Sequence, residues 1–231
     1  MCAAASRHPL VNKATPLYRD DLIAMHETVF QRWDSEKIID ISELRSLVRA
    51  NIIYFSFCRG HDYNCVKDKH VSLFPDYIKI VFPKSKNDQF YDNSYSFIPT
   101  INDKYCPVKL LKFYFQFTGL TFENPAKRCY YLNFTFHCMD RRPRPILMKY
   151  LSVNNSVAKT RALLAKSGKG DRHYTDKSFK VGGVSDYMHK GKGTLTETMV
   201  HGRWNNESTP MYYRNEDPRY RLKLARKLVP K

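Results

Sequence analysis

The stretch from Asp40 to Phe55 constrains the fold most. Asp40 followed three residues later by Glu43 has the form of a capping box, and Leu44, Leu47, Val48, Ile52 and Phe55 then recur at helical spacing. That pattern predicts an α-helix with one long apolar side, ending near Arg59-Gly60. Such a side has to be covered, so other elements must pack on it.

Three further helices are predicted. One starts near Pro16, with Asp20 and Asp21 in its first turn and Leu22, Met25 and Val29 on its apolar side. Another has Pro107 at its first position, apolar Leu110, Leu111, Tyr114 and Phe115, and Gly119 past its end. A third runs from about Ser152, its cap, to Ser167, stopped by Gly168. Between the helices the periodicity changes. Val71 to Leu73, Tyr77 to Phe82 and a run around Tyr95 to Ile98 are rich in β-forming residues and separated by turns at Pro75-Asp76 and Lys84 to Asp88, which predicts a small antiparallel sheet. Arg141-Arg142-Pro143-Arg144-Pro145 is predicted as a basic loop. Gly182-Gly183 suggests close backbone packing, and Leu222, Leu224 and Leu228 form a closing helical pattern. There is no internal repeat, low-complexity tract or domain boundary. The expected class is mainly α with a small antiparallel β-sheet (α+β), preceded by a tail or linker remnant over residues 1–13.

Composition bounds the partners. The 231 residues carry 39 Lys plus Arg against 22 Asp plus Glu, a net charge of +17. Lysines and arginines that neutralise phosphates release condensed counterions, so nucleic acid leads as partner, with an anionic membrane surface behind it. No apolar run approaches the ~18 residues that span a bilayer, and the start has no secretory core, so the protein is expected to be intracellular and not secreted. The six cysteines are scattered without a C-x-x-C pair, so neither a zinc site nor a disulfide framework is indicated. With no export signal, the sequons at Asn133, Asn154 and Asn206 read as chance matches.

The order of certain residues goes further than composition. Cys58-Arg59-Gly60-His61-Asp62-Tyr63 is followed by Lys84-Ser85-Lys86-Asn87-Asp88-Gln89, then Cys106-Pro107-Val108-Lys109-Leu110. Downstream come Lys177-Ser178-Phe179-Lys180-Val181-Gly182-Gly183 and His201-Gly202-Arg203-Trp204-Asn205-Asn206-Glu207. This succession resembles the catalytic domain of tyrosine recombinases, the phage-integrase and XerD-like family, most closely the branch of eukaryotic DIRS and crypton mobile elements. The resemblance covers residues 14–231 as a catalytic domain and implies that the N-terminal core-binding domain of such recombinases is absent.

The resemblance implies a mechanism for DNA recombination and DNA integration. A tyrosine attacks the scissile phosphate, forms a 3′-phosphotyrosyl link and releases a 5′-hydroxyl, with no metal or other cofactor. Cationic side chains hold the phosphate oxygens as charge develops. Carried over by position, Arg59 is the first arginine, Lys86 the general acid with Lys84 as its substitute, Lys177 and Lys180 stand in the H-x-x-R box, Trp204 takes the His/Trp position, and Tyr213 is the nucleophile, with Tyr212 as alternative. Arg141, Arg142, Arg144, Lys84 and Arg203 are the implied DNA contacts, on double-stranded DNA and in a homo-oligomer assembled on it. A mobile-element origin and a nuclear location go with the branch.

Other readings stay open at single residues. Arg59 could pair with Asp62 or cap its helix, His201 could be a structural helix-end histidine, and the 141–144 loop could be merely solvated. The H-x-x-R box here reads Lys177-x-x-Lys180. Lysine keeps the charge but offers a point donor in place of a planar fork, and losing one preorganised donor costs about 2.7–4 kcal/mol. Two functions from the resemblance are therefore expected: a recombinase or integrase, and a catalytically inactive DNA-binding remnant of one. A third reading, independent of the resemblance, is a basic binding protein for RNA, DNA or an acidic membrane.

Overall fold

The computed structural model describes residues 14–83, 94–122, 129–137, 144–170 and 173–213. In chain order it holds α1 (Arg19–Phe30), α2 (Trp33–Glu36), α3 (Ile41–Ser56), α4 (Gly60–Asn64), β1 (Val71–Leu73), β2 (Tyr77–Phe82), β3 (Ser94–Pro99) and α5 (Pro107–Thr118). There follow β4 (Phe134–His137), β5 (Arg144–Tyr150), α6 (Val153–Lys166), α7 (Ser178–His189), α8 (Leu195–Gly202) and α9 (Ser208–Tyr213). The class is mainly α with small antiparallel sheets. None of the helices among the described residues is long and apolar enough to cross a membrane.

Helix α3 is the hub. Asp40 caps it by accepting from the backbone N–H groups of Ser42 (2.7 Å) and Glu43 (3.2 Å). The reciprocal half of the expected capping box is not made, because the Glu43 carboxylate takes a proton donor from another helix, Lys166 Nζ of α6. Leu44, Leu47, Val48, Ile52 and Ile53 are all buried, and α1, α5, α6 and α7 pack around them. Two arginines share this interior. Arg45 Nη1 donates to the Phe134 carbonyl at 2.5 Å, and Arg49 forms an ion pair with Asp176.

The closeness of α7 to α3 depends on the glycine pair. A Cβ on Gly183 would collide with the Tyr54 carbonyl oxygen of α3, and one on Gly182 with the carbonyl of Leu17. Both positions therefore need hydrogen in place of a side chain.

Helix α3 stops earlier than the sequence suggests. Phe57 at its C-terminus adopts φ +53°, a left-handed conformation that costs a bulky residue about 1–2 kcal/mol. The turn sends Cys58 and Arg59 in a new direction and lets α4 start at Gly60.

The three-stranded sheet has order β1-β2-β3, antiparallel throughout, with Val71 opposite Ile80 and Ile78 opposite Ile98. Alternation sends Ile78, Ile80, Phe82 and Ile98 into the core. A second, two-stranded sheet pairs β4 with β5, so the expected basic loop is strand from Arg144 onward: Arg144 opens β5 opposite His137. Residues 1–13, 84–93, 141–143 and 214–231, which hold the expected tail, the turn lysines, part of the basic loop and the closing leucine pattern, lie outside the described residues.

Candidate active site

Arg59, Lys180 and Trp204, from three separate parts of the chain, converge at the ends of α4, α7 and α8. Arg59 is the N-cap residue of α4 and is half-buried. Its backbone N–H donates to the Asp62 carboxylate at 3.1 Å, so Asp62 caps the helix and faces the arginine's own turn. The next residue, Gly60, donates its N–H to Asp176 at 3.1 Å. A Cβ on Gly60 would overlap both Asp176 and the Arg49 guanidinium. The glycine after Arg59 is thus the space into which the buried ion pair fits.

Asp176 lies directly before Lys177, so it ties the start of α7 both to α3, through Arg49, and to the start of α4, through the Gly60 N–H. Its demands are strict. The Arg49 side chain is 1% exposed, and its Nε and Nη1 have no acceptor among the described residues.

Lys177 and Lys180 part company one turn apart. Lys177 is exposed at the N-cap of α7. Lys180 is 4% exposed, with Nζ 4.6 Å from the centroid of the Trp204 ring, a cation–π contact. Burial, reinforced by the Arg59 guanidinium, brings the Lys180 ammonium down to about 7; Arg203 lowers it further, while Cys58 and Asp62 oppose the shift. Burial likewise raises the Asp62 carboxyl, against the opposing pull of Arg59, Lys180 and Arg203. The Cys58 thiol, sealed in the same region, is pushed up to about 12.

The His201-Gly202-Arg203-Trp204 box acquires a physical rationale residue by residue. His201 Nε2 donates to the Phe55 carbonyl at 2.6 Å, and its ring stands edge-on to Phe57 at 4.6 Å. That bond fixes α8 to the end of α3, a structural role. Gly202 leaves room for the Trp204 ring, which a Cβ would meet at 2.5 Å. Arg203 turns the chain at φ +58°, and Trp204 then lies parallel to Phe57 at 6.2 Å. Arg203 reaches away to the sheet: its guanidinium covers the Phe82 ring at 4.7 Å, and Nη1 donates to the Ser96 hydroxyl.

Helix α9, which carries Tyr212 and Tyr213, packs against α7 and α8, the two helices that bring Lys180 and Trp204 together. Arg144 stands at the start of β5, on the second sheet. Lys84, Lys86, Arg141 and Arg142 lie outside the described residues. Sequence reasoning missed Arg49 and Asp176. The available signal was two arginines, Arg45 and Arg49, spaced one turn apart among the apolar positions of the helix.

No protein-family model matches the sequence, and no curated protein matches it significantly. Solved structures do match in shape. The post-cleavage complex of the XerH site-specific recombinase bound to palindromic difH substrate has a TM-score of 0.61 at 14% identity, over 92% of this chain and 52% of that one. The XerA recombinase has a TM-score of 0.63 at 13% identity, over 96% and 66%. This chain therefore spans between about half and two thirds of the length of these recombinases. At this identity the likeness establishes the fold: that of a tyrosine recombinase catalytic domain.

Proposed function

We propose that the protein is a recombinase-like DNA-binding protein that uses residues 14–231 as a catalytic domain and transfers DNA strands through a tyrosine. In this reading Arg59 and Lys180 hold the non-bridging oxygens of one phosphate and Trp204 closes the pocket beside them. The Tyr213 hydroxyl attacks phosphorus as its proton passes to solvent. The bond to the 5′ oxygen breaks, and that oxygen takes a proton from Lys86, or from Lys84 in its place. A 3′-phosphotyrosyl link results, and attack by a 5′-hydroxyl reverses it.

The observation that carries the reading is the convergence of Arg59, Lys180 and Trp204, from three separate segments, beside the helix that bears Tyr213. The test is incubation with nicked suicide duplexes. A covalent adduct that survives denaturant and disappears in Tyr213→Phe is expected, and persistence of the adduct in Tyr213→Phe moves the role to Tyr212.

A second reading, a DNA-binding remnant without turnover, is favoured by one observation. Lys180 is buried against Trp204, and its charge is weakened at neutral pH. An ammonium weakened by burial is a poorer clamp for a phosphate than an arginine fork. Absence of any adduct, with duplex binding retained, selects this reading. A mobile-element ancestry of DIRS or crypton type, a nuclear location and assembly as a homo-oligomer on double-stranded DNA complete the proposal.

A further inference from the structure

The three-stranded sheet has two unlike faces. Its inner face holds Ile78, Ile80, Phe82 and Ile98, all buried. Its outer face carries Tyr77 and Lys79 of β2 and Tyr95 and Phe97 of β3, and Phe97 is the register partner of Lys79. Tyr95 and Phe97 are each 46% exposed, and Phe74, in the turn after β1, is 37% exposed.

These rings form one continuous row. Phe74 stacks on Tyr77 at 4.5 Å, Tyr77 meets Phe97 edge-on at 5.3 Å, and Phe97 meets Tyr95 at 5.2 Å. Within the row, Lys79 holds its ammonium 4.5 Å from the Tyr95 ring centroid. Strands β1, β2 and β3 contain no acidic residue, and Asp76 sits in the turn between the first two.

Tyr95 and Phe97, at alternate positions of β3 with ring centroids 5.2 Å apart, point to the same face and are exposed enough to meet neighbouring bases of an unpaired strand. Sheets with exposed aromatics on adjacent strands bind single-stranded nucleic acid in this manner, two or three bases at a time. An apolar protein partner would have to desolvate the Lys79 ammonium, whereas a phosphate would pair with it. The net charge of +17 favours the same polyanion.

We propose that the outer face of this sheet is a stacking platform for single-stranded nucleic acid, with Tyr77, Tyr95 and Phe97 under the bases and Lys79 on a phosphate. It shares no residue with the Arg59–Lys180–Trp204 cluster and does not depend on strand cleavage. Arg203 touches the opposite face of the same strands, through Phe82 and Ser96.

The test uses the full chain, fluorescence anisotropy, a labelled oligothymidylate and a duplex of equal length at one salt concentration. The variant Tyr95→Leu/Phe97→Leu keeps apolar, strand-compatible side chains but removes the rings. It should weaken oligothymidylate binding by about tenfold or more and duplex binding by less than about twofold. A second variant, Tyr95→Trp, should show additional indole fluorescence, read as the difference from the wild type with its Trp33 and Trp204, that is quenched by oligothymidylate and not by duplex, which decides the matter if the leucine variant does not fold. Unchanged single-strand affinity in a folded leucine variant overturns the proposal, as does equal loss on both ligands. A change of oligomeric state with affinity unchanged also overturns it and assigns the face to a second copy of the chain. A negative suicide-substrate result would leave the platform standing, because the two sites are read by different ligands.

Discussion

Arg59 and Lys180 belong to the same cluster but are held in different ways. Arg59 is seated by backbone geometry, at a helix start capped by Asp62 and braced through Gly60 on Asp176, and it is left half-buried. Lys180 is seated by packing, buried along α7 against Trp204, with its ammonium brought down to about 7 by burial and by Arg59. The ammonium is weakened where the side chain is almost fully buried. Under the proposed function, that difference separates binding a phosphate from turning it over quickly.

The brace is the strongest way to break the comparison. Asp176→Ala removes the only ion-pair partner of Arg49 among the described residues and the acceptor of the Gly60 N–H. Stranding a buried guanidinium should cost about 3–5 kcal/mol in urea unfolding, with both α4 and α7 loosened. A loss below about 1 kcal/mol would mean that solvent reaches Arg49, as it does for exposed pairs.

Restoring the fork addresses the chemistry. If Lys180 is the weak donor, Lys180→Arg should raise the rate of adduct formation on suicide duplexes by about 10²–10³, equivalent to ~2.7–4 kcal/mol of transition-state stabilisation. An unchanged rate would place the deficit elsewhere in the site.

The smallest effect is a slope. Lys180 has a folded value of about 7 against an ordinary 10.5, so between these values the unfolded chain binds more protons than the folded one. Stability must then rise with pH across that window, by at most about 1.4 kcal/mol per pH unit. Below the folded value both states carry the proton and the full cost of burying the charge is present; above the unfolded value the cost is gone. Subtracting the stability curve of Lys180→Met from that of the wild type isolates this slope, and a flat difference would show that the ammonium is solvated.

Much of this organisation was legible in the sequence where the signal is local. The Asp40 cap, the apolar positions of α3, Pro107 and Gly119 around α5, and the three short β-rich runs each act within a few residues, and the structure has them all. Strand β5 was not legible, because Arg144-Pro145 at its start reads as loop chemistry and its pairing with β4 is set by tertiary contacts. The same holds for the site. The order of the boxes pointed to Arg59, Lys180 and Trp204, but not to the contacts of Arg203, whose guanidinium lies on Phe82 and donates to Ser96, 107 residues away in the chain. Burial of Lys180 and the Arg49–Asp176 brace are likewise long-range facts, with no local pattern to announce them.

The central claim is that this cluster receives a phosphate of duplex DNA. It is tested most directly by following the Lys180 side chain in isotope-labelled lysine NMR, with the resonance assigned by its loss in Lys180→Arg. Free protein should titrate near 7, and bound duplex should move the titration upward by more than about one unit, because a phosphate in contact favours the charged form. A Lys180 titration that is the same with and without saturating duplex would contradict the account.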